Sequence, residues 1–130
     1  MSVSQRTRTR TLLVIDDDGP TRRMLVTALS EAGYRCVPAP DAESGLAFAE
    51  SNGVSGAIVD LCLPGMSGAE LAWRLTQTYP GLPVIAVTGY ANLWDEDDLR
   101  DLGVSVVVTE PFRAADVLAA LEGALRTRER

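Results

Sequence analysis

The stretch GAIVDLCLPGMSGAEL, residues 56–71, passes from strand to loop to helix and decides the fold. Ala57-Ile58-Val59 is a short apolar run without alternation, the pattern of a strand buried on both faces of a parallel sheet. Asp60 then interrupts the run Ala-Ile-Val-Asp-Leu-Cys-Leu, so burial is expected, and a buried carboxylate needs a cation or hydrogen bonds. Pro64-Gly65 marks a loop. Ser67 and Glu70 stand three apart as a capping box, followed by the inward-facing Leu71, Ala72 and Leu75. That helix stops before Pro80-Gly81.

The same strand-then-helix unit recurs on both sides. Apolar runs occur at Leu12 to Ile15, Tyr34 to Val37, Ala57 to Val59, Val84 to Val87 and Val104 to Val108. The second contains the polar Arg35, which suits a sheet edge. A helix with Met24, Leu25, Ala28, Leu29 and Ala32 on one face follows the first run and stops at Gly33. The next opens at Asp41 as N-cap and turns Leu46 and Ala49 inward. A fourth helix is expected from about Asn92 to Leu102, with a thin apolar face because of Asp95-Glu96-Asp97-Asp98. The fifth carries Val117, Leu118, Leu121 and Leu125 inward, with Arg126, Arg128 and Arg130 suited to its C-terminal dipole. Strand and helix alternate five times, and right-handed crossovers make this a doubly wound α/β sandwich around a five-stranded parallel sheet.

Composition narrows the chemistry. The chain has 130 residues, room for one domain, and a net charge of −6, which argues against nucleic acid or an anionic membrane as a direct partner. It has no His, and all 12 basic residues are Arg. Schiff-base chemistry and lysine-dependent phosphate sites are thereby excluded. Cys36 and Cys62 are too few for a disulfide scaffold. Residues 1–10, MSVSQRTRTR, are expected to form a flexible tail ahead of a domain spanning 11–127. The apolar stretch after the tail ends in three aspartates, so it is no signal peptide, and a cytoplasmic location with no membrane contact is expected.

In such sheets ligands bind beyond the carboxyl ends of the strands. Asp16, Asp17 and Asp18 follow the first strand, Asp60 the third, Thr88 the fourth and Glu110-Pro111 the fifth. Singly, each has a bland explanation: Asp18 as a helix cap, Thr88-Gly89 as a turn. Together they mark one rim. If the first and third strands are neighbours, Asp16, Asp17 and Asp60 converge and repel one another. A hard divalent cation such as Mg²⁺ relieves that repulsion and leaves one carboxylate free as a nucleophile toward a phosphoryl group.

The segments VIDDDGPTRRML (14–25), GAIVDLCLPGMSGAEL (56–71), PVIAVTGYA (83–91) and VVVTEPF (106–112) resemble the receiver domain of bacterial response regulators, over about residues 11–127. The resemblance implies a flavodoxin-like sheet of order 2-1-3-4-5. It implies that Asp60 accepts a phosphoryl group from a phosphohistidine on a sensor histidine kinase or phosphotransfer protein. Asp17, Asp60 and the backbone carbonyl of Cys62 would ligate Mg²⁺, with Asp16 acting mostly through a water. Thr88 would donate its hydroxyl to the phosphoryl group, and a cis peptide would precede Pro111. Such a domain signals rather than catalyses, with at most slow self-phosphorylation and dephosphorylation. Its output would be a downstream protein on the face of the fourth helix, fifth strand and fifth helix.

Two positions depart from the family. Glu110 stands where the family has a lysine, and Val107 where it usually has Tyr or Phe. Losing a charge-assisted hydrogen bond costs about 1.5–3 kcal/mol. A like charge at 4 Å adds repulsion of about 4 kcal/mol at an effective dielectric of 20. These departures motivate an alternative, a degenerate receiver that binds partners without phosphate. A third reading, a phosphohydrolase of the haloacid dehalogenase type, has only Asp16-x-Asp18-Gly and Thr21 behind it. With strand order 2-1-3, Cys36 and Cys62 lie roughly 9–10 Å apart, beyond disulfide reach, and both are expected to be reduced packing residues. Trp94 has two readings, a partner contact or a half-buried side chain.

Overall fold

The computed structural model describes residues 10–89 and 94–128. Residues 1–9 of the expected 1–10 tail, the proposed helix start at Asn92 and the terminal Arg130 lie outside the described residues, whereas the Arg10 carbonyl accepts the Arg35 amide at 3.0 Å. The elements, in chain order, are β1 (Thr11–Ile15), α1 (Gly19–Glu31), β2 (Arg35–Ala39), α2 (Ala42–Asn52), β3 (Gly56–Asp60), α3 (Gly68–Thr78), β4 (Val84–Thr88), α4 (Glu96–Asp101), β5 (Val106–Thr109) and α5 (Ala114–Arg128). The strands form one parallel sheet of order β2-β1-β3-β4-β5. Arg35 is exposed on the edge strand β2, as its polarity requires. Pro38, which cannot donate to a ladder, sits on the same edge strand.

Successive residues of each strand feed opposite layers. Leu13, Ile15, Val59, Val84 and Ala86 pack with Leu46, Leu71, Leu75 and Leu99 from α2, α3 and α4. Leu12, Val14, Ile58, Ile85 and Val87 pack with Leu25, Leu29, Val117, Leu121 and Leu125 from α1 and α5. Burying each of these Val, Leu and Ile side chains contributes about 1.5–3 kcal/mol, so the two layers hold the sheet in register. The central strands are covered on both faces, which is why their sequences are continuous rather than alternating.

Several local expectations are corrected. Met24 is 41% exposed, because α1 presents Leu25 and Leu29 to the sheet, one turn apart, and the preceding residue falls beside that stripe. Leu118 is only half-buried. The second strand runs Arg35–Ala39 and the fifth Val106–Thr109, each later than its apolar run. Helix α4 starts at Glu96 with Asp95 as its N-cap and turns a single buried residue, Leu99, inward. Half of the α3 capping box forms. The Glu70 amide donates to Ser67 Oγ at 3.1 Å, but the Glu70 carboxylate pairs with Arg74 at 2.9 Å instead of returning to Ser67. Cys36 is half-buried, whereas Cys62 is exposed and is no packing residue; both are free thiols.

Candidate functional site

Parallel register brings the strand ends to one rim. Ile15 pairs with Val59, Asp60 with Val87, and Thr88 with Thr109, so Asp16, Asp60, Thr88 and Glu110 emerge side by side. The ladders run one step past the strands. The amide of Asp16 donates to Ala39 O at 3.2 Å, that of Leu61 to Val87 O at 3.1 Å and that of Glu110 to Thr88 O at 2.8 Å. The backbone beneath the site is therefore fixed by sheet hydrogen bonding rather than left to loops.

Helix α3 closes the site from below. A side chain at Gly68 would overlap the carbonyl oxygen of Asp60, so only glycine lets the helix start pack this close. The Gly68 amide donates to Leu61 O at 3.3 Å and seals the approach. On the other flank, Arg22 of α1 donates from its Nη1 to the carbonyl of Asp16 at 2.6 Å. Asp18 caps α1, accepting the Thr21 amide at 3.0 Å, as its position after a strand predicted.

Carboxylate oxygens of Asp16, Asp17 and Asp60 lie within 4.8 Å of one another. Asp16 is buried and its Oδ1 accepts the Asp18 amide at 2.9 Å. Burial pushes its carboxyl above the usual range, the Asp18 amide opposes this, and the charges of Asp17, Asp18 and Glu110 add to it. Asp60 is half-buried and its Oδ1 accepts the Cys62 amide at 2.9 Å. Burial, first, then the charges of Asp16, Asp17 and Glu110 push its carboxyl up to about 7 against the lowering effect of that amide. Asp17 is exposed at the mouth. Three oxygen donors that repel one another in a partly dry pocket fit a hard divalent cation such as Mg²⁺, which accepts carboxylate ligands and keeps several waters.

Thr88 is 1% exposed at the end of β4 and hydrogen-bonds the Cys62 thiol. Although Cys62 is exposed as a residue, partial desolvation of its thiol raises it above its ordinary range and the Asp60 charge adds to the effect, so Cys62 is a poor thiolate. Glu110 is exposed, and a Cβ placed on Gly89 would stand 2.5 Å from its Oε1, so its carboxylate lies directly over that glycine. The Glu110–Pro111 peptide is cis. Val107 is half-buried against the α2–α3–α4 layer. Trp94 is half-buried against the same layer, and its Nε1 is buried without a hydrogen-bond acceptor among the described residues. Sequence reasoning singled out the carboxylates, Thr88 and Glu110. It missed Arg22 and Gly68, although both lie inside the segments that carry the resemblance.

The chain matches the family model of the response regulator receiver domain over residues 12–122. It is similar to the response regulator receiver protein CpdR of Brucella abortus, 32% identical over 114 residues that cover 85% of this chain and 92% of that one. It is also similar to the phosphate regulon transcriptional regulatory protein PhoB of Pseudomonas aeruginosa, 31% identical over 119 residues, covering 90% of this chain and 52% of the relative. The chain thus spans about half the length of several curated relatives it matches, that one and the regulatory protein YkoG of Bacillus subtilis among them. Among solved structures, a CheY-like receiver domain from Methanospirillum hungatei superposes with a TM-score of 0.87 at 30% identity, covering 93% of this chain and 97% of that one. Family match, strand order and the acidic rim agree: this chain belongs to the response regulator receiver family, the signal-accepting domains of two-component systems.

Proposed function

We propose that Asp60 is the phosphoacceptor of this receiver, served by a Mg²⁺ held by Asp16, Asp17, Asp60 and the backbone carbonyl of Cys62. The observation that carries this reading is the convergence of the three carboxylates within 4.8 Å, beside the buried Thr88. When bound, the cation supplies positive charge that offsets carboxylate repulsion and the incoming phosphoryl anion. An Asp60 carboxylate oxygen attacks the phosphorus of a phosphohistidine. The P–N bond breaks, its electron pair leaves with the imidazole, and an acyl phosphate forms on Asp60. The Thr88 hydroxyl donates to a phosphoryl oxygen. Glu110 holds the position of the family lysine, so the phosphoryl group lacks one cationic partner and gains an anionic neighbour.

Two-component regulators among the relatives support this reading over a phosphate-independent interaction module. The donor is a sensor histidine kinase or phosphotransfer protein in the cytoplasm, and the output is a protein contact on the face of α4, β5 and α5. The net charge of −6 favours a protein over nucleic acid as that contact. No helix among the described residues is long and apolar enough to cross a membrane. The test is intact-mass measurement after incubation with acetyl phosphate, with Mg²⁺ or with a chelator. Wild type gains one phosphoryl group only with Mg²⁺, and Asp60→Asn gains none. A wild-type chain that stays unmodified at every donor concentration refutes the proposal.

A further inference from the structure

We propose that Glu43 is a positioning residue: carried on the firmly seated first turn of α2, its exposed carboxylate holds the β3–α3 loop that carries Cys62 in place beside the metal-binding carboxylates. This rests on the reading of Cys62 as a carbonyl ligand. The argument begins with how firmly Glu43 is mounted. Asp41 caps α2 by accepting the Ser44 amide at 2.8 Å. Ala42 is buried, and a Cβ on Gly45 would stand 2.8 Å from Ile15 Cδ1, so the first turn is pressed onto the end of β1 and cannot slide. β2 ends level with β1, Ala39 pairing with Ile15, which puts the start of α2 at the same rim as Asp16.

From that mount Glu43 reaches a different element. Its Oε2 accepts the amide of Met66 at 3.3 Å, across 23 positions of sequence. The same oxygen lies 3.2 Å from where a Cβ of Gly65 would stand, and Gly65 has φ +72. Glycine therefore serves twice there: it adopts the left-handed turn, and it leaves room for the carboxylate to close on the loop. The loop is tied at its ends by the Cys62 amide to Asp60 Oδ1 and the Gly68 amide to Leu61 O. Glu43 ties its middle. A loop pinned at three points keeps the Cys62 backbone in one place, and a cation site gains affinity when its ligands are held before binding.

The test uses Mg²⁺ alone as the probe, with Glu43→Ala and Glu43→Gln in the full chain. Gln keeps an acceptor oxygen but removes the charge. Two quantities are read: the exchange rate of the Met66 amide without metal, and the Mg²⁺ concentration for half-saturation, followed by backbone amide shifts at Asp17 and Asp60. In Glu43→Ala both rise about three- to tenfold, the span of one modest hydrogen bond. In Glu43→Gln both stay within about twofold of wild type, since the acceptor survives. Equal weakening of Mg²⁺ binding by Ala and Gln assigns the effect to charge and overturns the proposal. So does an Ala variant with faster Met66 exchange but unchanged Mg²⁺ binding, because the tie would then position nothing. A wild-type chain that binds no Mg²⁺ refutes the metal site and, with it, the positioning role. Met66 exchange still reports separately on whether the tie exists.

Discussion

At Asp60 and Glu110 the proposed chemistry turns on charge rather than shape. Asp60, pushed up to about 7, is held nearer its neutral form in the folded chain than in the unfolded one. Stability from this group is complete below its ordinary value near 3.8 and is lost as pH rises through about 7. Asp60→Asn should therefore change stability little at pH 4. At pH 8 it should raise stability by about 1–2 kcal/mol, less than the full shift implies, because solvent screens a half-buried group. Urea denaturation at the two pH values, with a chelator present so that no divalent cation offsets the carboxylate charge, checks this, and equal effects at both would contradict it. Glu110→Lys restores a cation over Gly89 and removes an anion. It should raise the rate of phosphorylation by acetyl phosphate, or the lifetime of the product, at least tenfold, as a charge-assisted hydrogen bond of about 1.5–3 kcal/mol allows. Stopped-flow phosphorylation and decay of the labelled chain measure both.

Among the elements, α3 and α1 show what the sequence reveals and what it conceals. The capping residue Ser67 and the apolar face of α3 were legible because they are local in sequence. Gly68 was not, since its reason is a carbonyl on β3 that only the folded chain brings near. Gly68→Ala should cost about 1–3 kcal/mol through overpacking and should slow phosphorylation, because the backbone that must give way is that of Asp60 itself. A variant with wild-type stability and reactivity would show that the contact relaxes freely. Helix α1 was legible in length but not in rotation. Met24 fits an apolar stripe, yet the sheet takes Leu25 and Leu29. Met24→Gln should change stability by less than about 0.5 kcal/mol, and Leu25→Ala should cost about 2–5 kcal/mol in the same chemical denaturation assay. Glu43 had no sequence signal at all, because its partner is a backbone amide on a distant loop.

For the molecule as a whole, five strand–helix units were readable because central strands buried on both faces leave continuous apolar runs. The rim followed, since parallel strands put all their carboxyl ends on one side. Boundaries were less legible where packing is thin, as at α4, which buries only Leu99 and whose acidic first turn hides its period. The absence of lysine gains structural meaning on this scale: the sheet delivers Glu110 to the same rim as Asp16 and Asp60, so under the proposed function a divalent cation would have to supply the positive charge that a lysine supplies elsewhere in the family. The most direct test is to locate the acceptor. The chain is phosphorylated with acetyl phosphate and Mg²⁺, the acyl phosphate is reduced with borohydride, and the resulting homoserine is mapped by peptide mass spectrometry. Conversion at residue 60, abolished by chelating Mg²⁺, is the predicted result; conversion at another carboxylate, or phosphorylation that persists without Mg²⁺, would contradict it.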